Sequence, residues 1–295
     1  MVVPRPNPWL LAARPRTLTA SISPVLVGTA LALREGAFDL PVCFATLAAA
    51  VLLQVGANYA NDVFDYLKGA DHARQGPARV TQSGLLTPDQ MLAGVAGVLG
   101  LAALIGVYLV IVGGWPILLI GALSIVCAVA YTAGPFPLAY RGLGDLFAFV
   151  FFGLVAVMGT YYLQTQQFTP ASFVAALPSA LFATCLIVVN NLRDMDTDRA
   201  AGKRTLAVRI GDRATRVEYT LMLTAAYLVP LVLRAGGVLQ GWAWLLPWAS
   251  GPLALMLARE LWRAPRSSAL NPILGRTAQL NLAFSALFAA ALLVG

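Results

Sequence analysis

Long apolar runs separated by polar connections make up most of this chain, which reads as a series of helices crossing a membrane rather than as half-buried strands. A hydrocarbon core about 30 Å thick needs about 20 apolar residues per helix. On that template the sequence predicts nine spans, at about 17–33, 41–61, 89–112, 116–132, 145–163, 171–191, 214–233, 241–258 and 277–294. The expected fold is all-α: one domain over residues 1–295, a polytopic bundle of nine transmembrane helices. Pro230 and Pro247 fall within the seventh and eighth spans and are expected to kink them, with neighbouring helices covering the freed backbone groups.

Composition supports this reading. The 295 residues are 59% hydrophobic and 11% charged, where a soluble domain carries about 25% charged residues. The net charge of +7 invites a nucleic-acid reading until its placement is considered. Eighteen of the 20 Lys and Arg residues lie on the N-terminal arm or in and around the connections after spans two, four, six and eight, leaving Arg34 and Arg234 on the other side. The positive-inside rule then puts the N-terminus in the cytoplasm and the C-terminus outside. The basic excess is therefore topological, and no nucleic-acid partner is expected. Cys43, Cys127 and Cys185 sit in apolar runs and the single histidine is His72, which excludes a zinc site or a Cys–His nucleophile. The first apolar run follows Arg14 and Arg16 without a cleavage site and reads as a mature helix rather than a signal peptide.

The polar residues that remain are concentrated. At the end of the second span come Asn58, Asn61, Asp62, Asp65 and Asp71; at the end of the sixth come Asn190, Asn191, Asp194, Asp196 and Asp198. If the helices continue, Asn58, Asp62 and Asp65 share one face, and so do Asn190, Asp194 and Asp198. The four-span offset between the two stretches suggests an internal duplication. A lone Asp after a span is ordinarily solvated loop charge; two amide-plus-carboxylate faces at helical spacing call for a ligand. Both lie at helix C-termini, where partial negative charge and mutual repulsion disfavour ionised carboxylates. A divalent cation removes both penalties. Mg2+ is the natural one, because it binds through one or two carboxylates and keeps positions open for substrate phosphates. Arg193, Arg199, Lys203, Arg204, Arg209, Arg213 and Arg216 then supply a second set of phosphate contacts. A ligand suited to this place, in the lipid bilayer surface, has a diphosphate head and a long hydrocarbon tail. The rival class is a cation-coupled transporter, against which the acids gather at one end instead of lining a midplane path.

The pattern Asn58-x-x-Asn61-Asp62-x-x-Asp65, answered by Asp194-x-x-x-Asp198, resembles the paired Asp-rich motifs of the UbiA superfamily of intramembrane prenyltransferases. The blocks Ala13-Arg14-Pro15-Arg16-Thr17-Leu18, Tyr131-Thr132-Ala133-Gly134-Pro135, Gly142-Leu143-Gly144-Asp145, Asn191-Leu192-Arg193-Asp194, the run Ala200 to Arg209, and Leu270-Asn271-Pro272 are similar to its MenA branch, the 1,4-dihydroxy-2-naphthoate polyprenyltransferases. The resemblance implies nine helices around a central cavity in the cell (inner) membrane. It also implies transfer of a polyprenyl group from polyprenyl diphosphate to 1,4-dihydroxy-2-naphthoate, with loss of CO2 and diphosphate, in menaquinone biosynthesis. By carry-over, Asn58, Asp62, Asp65, Asp194 and Asp198 hold Mg2+ and diphosphate, directly or through water, with Asn61 and Asn190 on the substrate. Lys203 and Arg204 are candidates for the diphosphate oxygens, Arg16 for either substrate, and Tyr131 for stabilising the developing allylic cation. Asp71 lies one place beyond the spacing of the superfamily's simplest first motif. Enzymes acting on 4-hydroxybenzoate, the alternative acceptor, carry a basic residue shortly after the corresponding tyrosine. Here Gly134-Pro135-Phe136 follows and is expected to offer apolar surface to a bicyclic ring.

Overall fold

A computed structural model describes residues 7–69, 76–77 and 79–295. Asp71, His72 and Arg74 lie outside the described residues. The described residues form helices and no strand: α1 (Pro8–Ala13), α2 (Thr19–Arg34), α3 (Leu40–Leu67), α4 (Pro88–Gly113), α5 (Trp115–Ala130), α6 (Gly144–Phe149), α7 (Ala156–Thr165), α8 (Pro170–Ala200), α9 (Leu206–Ile210), α10 (Asp212–Ala235), α11 (Gly251–Arg263) and α12 (Asn271–Val294). Among the described residues six helices are long and apolar enough to cross a membrane, or seven if the pair Pro8–Thr17 and Thr19–Arg34, bent by 50°, counts as one span. This is a multi-pass membrane protein. The expected fourth span is the 16-residue α5, and the eighth is a 3-10 segment (Ala243–Ser250) followed by the 13-residue α11.

The helix starts follow from local chemistry. Asp39 Oδ1 accepts the Val42 N–H at 2.9 Å ahead of α3. Thr87 with Gln90, and Thr169 with Ser172, form reciprocal capping boxes, each followed by a proline whose missing N–H costs nothing in a first turn. The two prolines expected to kink their spans have different settings. Pro247 sits in the 3-10 segment, where the α-helical ladder is not yet formed, while α10 runs without interruption through Pro230.

Helix α8 is the centre of the bundle and is mostly buried, whereas α4 carries an outer face of exposed residues such as Leu104. On one side α8 meets α10 and α12 through Phe182, Tyr227 and Phe284, with ring centroids 5.0 Å apart for Phe182–Phe284 and for Tyr227–Phe284. Between α6 and α7 one π-helical segment, Val150–Val155, widens the helix. Its Gly153 presses on α8 so closely that a Cβ there would lie 2.1 Å from the Ala180 Cα. α3 continues to Leu67 and α8 to Ala200, so Asn58, Asp62, Asp65, Asn190, Asp194 and Asp198 all stand on helix. That continuation sets the faces of their carboxylates.

Candidate active site

A cavity of about 680 Å³ runs between α2, α3, α4, α5, the π segment and α8. Its wall is mostly apolar, from Val25, Leu53 and Ala103 to Val107 and Ile187. Its polar residues include Arg14, Asn58, Asp65, Arg79, Asn190 and Lys203. Volumes of this order enclose organic ligands.

From α3, Asn58 donates its amide to the Ala13 carbonyl (2.9 Å) and the Thr17 hydroxyl (3.2 Å), tying the bent N-terminal elbow to the site. Asn61 accepts from the Thr132 hydroxyl at 2.9 Å. Asp62, 1% exposed, offers its two oxygens to the backbone N–H groups of Val80 (3.1 Å) and Thr81 (2.9 Å), so it holds the following loop down over the helix end. That loop delivers Arg79, whose Nη2 donates to Asp65 Oδ2 at 2.8 Å. The other Asp65 oxygen accepts from the Tyr140 hydroxyl at 3.0 Å.

From α8, Arg193 donates Nε and Nη2 to the two oxygens of Asp194 (2.8 and 2.5 Å), Nη2 also to Asn190 Oδ1 (2.7 Å), and Nη1 to Asn271 Oδ1 (2.9 Å). Asp198 pairs with Lys203 at 3.7 Å. Lys203 and Lys68 both approach the Tyr140 ring, at 5.3 and 4.8 Å from its centroid, and the Lys68 ammonium also donates to the Thr132 carbonyl at 2.5 Å. Partial burial pushes the Lys68 ammonium below its ordinary pKa; Asp65 pulls it up and Lys203 pushes it further down. Tyr131 lines the cavity, its hydroxyl so close over Gly144 that a Cβ there would lie 2.8 Å from it.

Of the expected residues, Asn58, Asn61, Asp65, Tyr131, Asn190 and Lys203 line the cavity. Asp62, Asp194 and Asp198 are buried beside it, each with a protein partner. Arg204 is exposed and meets Tyr140 through its backbone N–H (3.1 Å). Arg16 is exposed in the 3-10 turn Pro15–Thr17, and Arg14, at φ 52°, lines the cavity instead. Of the seven basic residues from Arg193 to Arg216, Lys203 alone lines it: Arg209 donates to the carbonyl of Arg141, and Arg216 pairs with Asp212. Phe136 is 69% exposed, carries the Arg141 guanidinium 5.0 Å over its ring, and is no part of the cavity wall. The aromatic lining includes Tyr131, Phe152 and the pair Phe147 and Phe151, stacked at 5.7 Å. Arg79 and Tyr140 do not stand out in the sequence; the Arg193-Asp194 dipeptide and the Tyr131-to-Asp145 block are the signals that point towards this region.

Among the described residues no group of three or more His, Cys, Asp or Glu side chains forms a metal cluster. The donors at the polar end are carboxylate and amide oxygens, which are hard ligands, and Mg2+ needs only one or two carboxylates when phosphate oxygens complete its shell. The donor set fits a hard divalent ion that arrives with a phosphorylated ligand.

Comparison with known proteins gives a consistent result. Residues 21–294 match the UbiA prenyltransferase family. The chain is 37% identical over 293 residues to a 1,4-dihydroxy-2-naphthoate octaprenyltransferase of Escherichia coli (strain K12), covering 97% of this chain and 95% of that one. It is 37% identical over 292 residues to the protein of the same description from Mycobacterium tuberculosis, covering 97% of each. Among solved structures, a UbiA homolog from Aeropyrum pernix K1 superposes with a TM-score of 0.71 at 17% identity, over 90% of this chain and 96% of that one. One from Archaeoglobus fulgidus, bound to DMAPP and Mg2+, does so with 0.66 at 12%, over 96% and 99%. These two share the fold.

Proposed function

The chain belongs to the UbiA prenyltransferase family, and from that premise we propose that it transfers a polyprenyl group from a polyprenyl diphosphate to 1,4-dihydroxy-2-naphthoate, releasing diphosphate and CO2 and giving demethylmenaquinol for menaquinone synthesis. The observation that carries the chemistry is the single cavity wall on which Asp65, Arg79 and Lys203 stand with a long apolar lining. It suits a charged head and an isoprenoid tail together. The acceptor rests on relatives of that description matched along nearly their whole length.

A divalent ion, Mg2+ in this reading, supplies positive charge to the departing diphosphate when bound. Asn58, Asp62, Asp65, Asp194 and Asp198 would hold it with the diphosphate, directly or through water. Asp62 also fixes the loop that brings Arg79 to Asp65, and Asp194 orients the Arg193 guanidinium. Lys203 and Arg79 place charge where the leaving oxygens gather, which is electrostatic stabilisation in a partly dehydrated site. The prenyl C–O bond breaks with its electron pair leaving on diphosphate. Tyr131 and the stacked pair Phe147–Phe151 offer π faces to the allylic cation. The electron-rich ring attacks, a C–C bond forms, and loss of the ring carboxylate as CO2 restores aromaticity. Positioning and charge do the work, and no protein nucleophile is required. The protein sits in the cell (inner) membrane with its polar cavity end towards the cytoplasm.

Quinone analysis of a strain deleted for this gene tests the reading in the cell. Complementation with this chain is expected to restore menaquinone; restoration of ubiquinone instead, in a strain lacking the benzoate enzyme, would overturn the acceptor.

A further inference from the structure

The Tyr140 side chain stands where three segments meet. Its hydroxyl donates to Asp65 on α3 (3.0 Å), and its ring lies under the ammonium groups of Lys68, just after α3, and of Lys203, just after α8 (4.8 and 5.3 Å). Its carbonyl accepts the Arg204 N–H at 3.1 Å, which fixes the loop that carries Lys203. Two like charges arriving from distant parts of the chain repel one another, and each is drawn to the negative face of the same ring. Lys203 has a carboxylate partner in Asp198 at 3.7 Å, too long for a close ion pair, and Lys68 is anchored through the Thr132 carbonyl. The arrangement leaves two ammonium groups against one ring, beside the cavity end that already holds Asp65 and Arg79.

We infer that Tyr140 is a positioning residue that gathers Lys68 and Lys203 into one two-ammonium clamp for the diphosphate head. The inference rests on the diphosphate reading of this site and adds to it a residue and a division of labour. The ring sets the spacing of the two cations, the anion relieves their repulsion on binding, and the hydroxyl separately orients Asp65. The ring and the hydroxyl are thus separable by substitution: Tyr140→Phe keeps the ring, and Tyr140→Leu removes both.

The test is calorimetric binding of inorganic pyrophosphate, with Mg2+ present, to the purified full chain, alongside the KM for polyprenyl diphosphate and for 1,4-dihydroxy-2-naphthoate. Tyr140→Leu is expected to weaken pyrophosphate about tenfold, the scale of removing two cation–π interactions at once, and to raise the KM for the prenyl donor while leaving that for the naphthoate unchanged. Tyr140→Phe is expected to bind pyrophosphate within about twofold of the wild type. In a chain carrying Lys68→Gln and Lys203→Gln, adding Tyr140→Leu should cost little more, because the cations it organises are gone. Unaltered binding in Tyr140→Leu, or an equal loss in Tyr140→Phe, would overturn the clamp while leaving the diphosphate site standing. A wild-type chain that does not bind pyrophosphate would overturn the site reading itself, and the clamp with it.

Discussion

Asp62 gives both carboxylate oxygens to the N–H groups of Val80 and Thr81, whereas Asp194 gives both of its own to the Arg193 guanidinium. An amide at either position keeps the size of the side chain, removes its charge and turns one acceptor into a donor facing a donor. Asp62→Asn and Asp194→Asn are each expected to lower turnover on the order of a thousandfold, the scale of removing one charge interaction with the transition state, while the protein remains folded in the membrane. The proposed function has both serve one Mg2+–diphosphate cluster, so the double variant should be little slower than either single one. Steady-state rates at saturating Mg2+ test this, and near-wild-type turnover in both single variants would return these acids to the status of loop charge. The two acidic faces were legible because helical spacing alone places Asn58, Asp62 and Asp65 together. Arg79 and Tyr140 were not, because their contacts with Asp65 join the α3 end to two separate loops, and no local periodicity records that.

The arginine of the N-terminal elbow shows what an element decides that a residue pattern cannot. The family resemblance makes Arg16 a candidate contact for either substrate. The chain instead ends α1 at Ala13, passes through Arg14 at φ 52°, and bends by 50° into α2, which leaves Arg16 exposed and brings Arg14 to the cavity. The bend is anchored by Asn58 on the Ala13 carbonyl, again a contact between distant residues. The π segment is a second such case, since its effect depends on Gly153 meeting Ala180. A methyl group at Gly153 has nowhere to go, whereas one at Gly100 on α4 meets nothing within 4 Å. Overpacking of this kind costs roughly 1–3 kcal/mol. Gly153→Ala should therefore lower the Tm of the detergent-solubilised protein clearly, and Gly100→Ala should leave it level or slightly raised. Equal melting of the two would contradict the close approach of the π segment to α8.

Over the whole molecule, hydropathy located the apolar runs, and among the described residues six or seven of the nine expected spans are long and apolar enough to cross a membrane. The fourth and eighth are short or partly 3-10, and the first follows a 50° bend. Charge asymmetry acts at the same scale, and eighteen of the 20 Lys and Arg residues on one side predict a cytoplasmic position for Gly76 and Gly202 and an external one for Gly295. Cysteines placed there one at a time, in a chain freed of Cys43, Cys127 and Cys185, should react with an impermeant maleimide in intact cells only at residue 295; labelling of Gly76→Cys from outside would reverse the orientation. Decarboxylating transfer of a prenyl group to a naphthoate ring can be followed with purified protein, Mg2+, a polyprenyl diphosphate and 1,4-dihydroxy-2-naphthoate labelled in its carboxylate, counting labelled CO2 against diphosphate, with 4-hydroxybenzoate as the competing acceptor. One CO2 is expected for each diphosphate, with little product from the benzoate; diphosphate released without CO2, or faster prenylation of the benzoate, would overturn the proposed reaction.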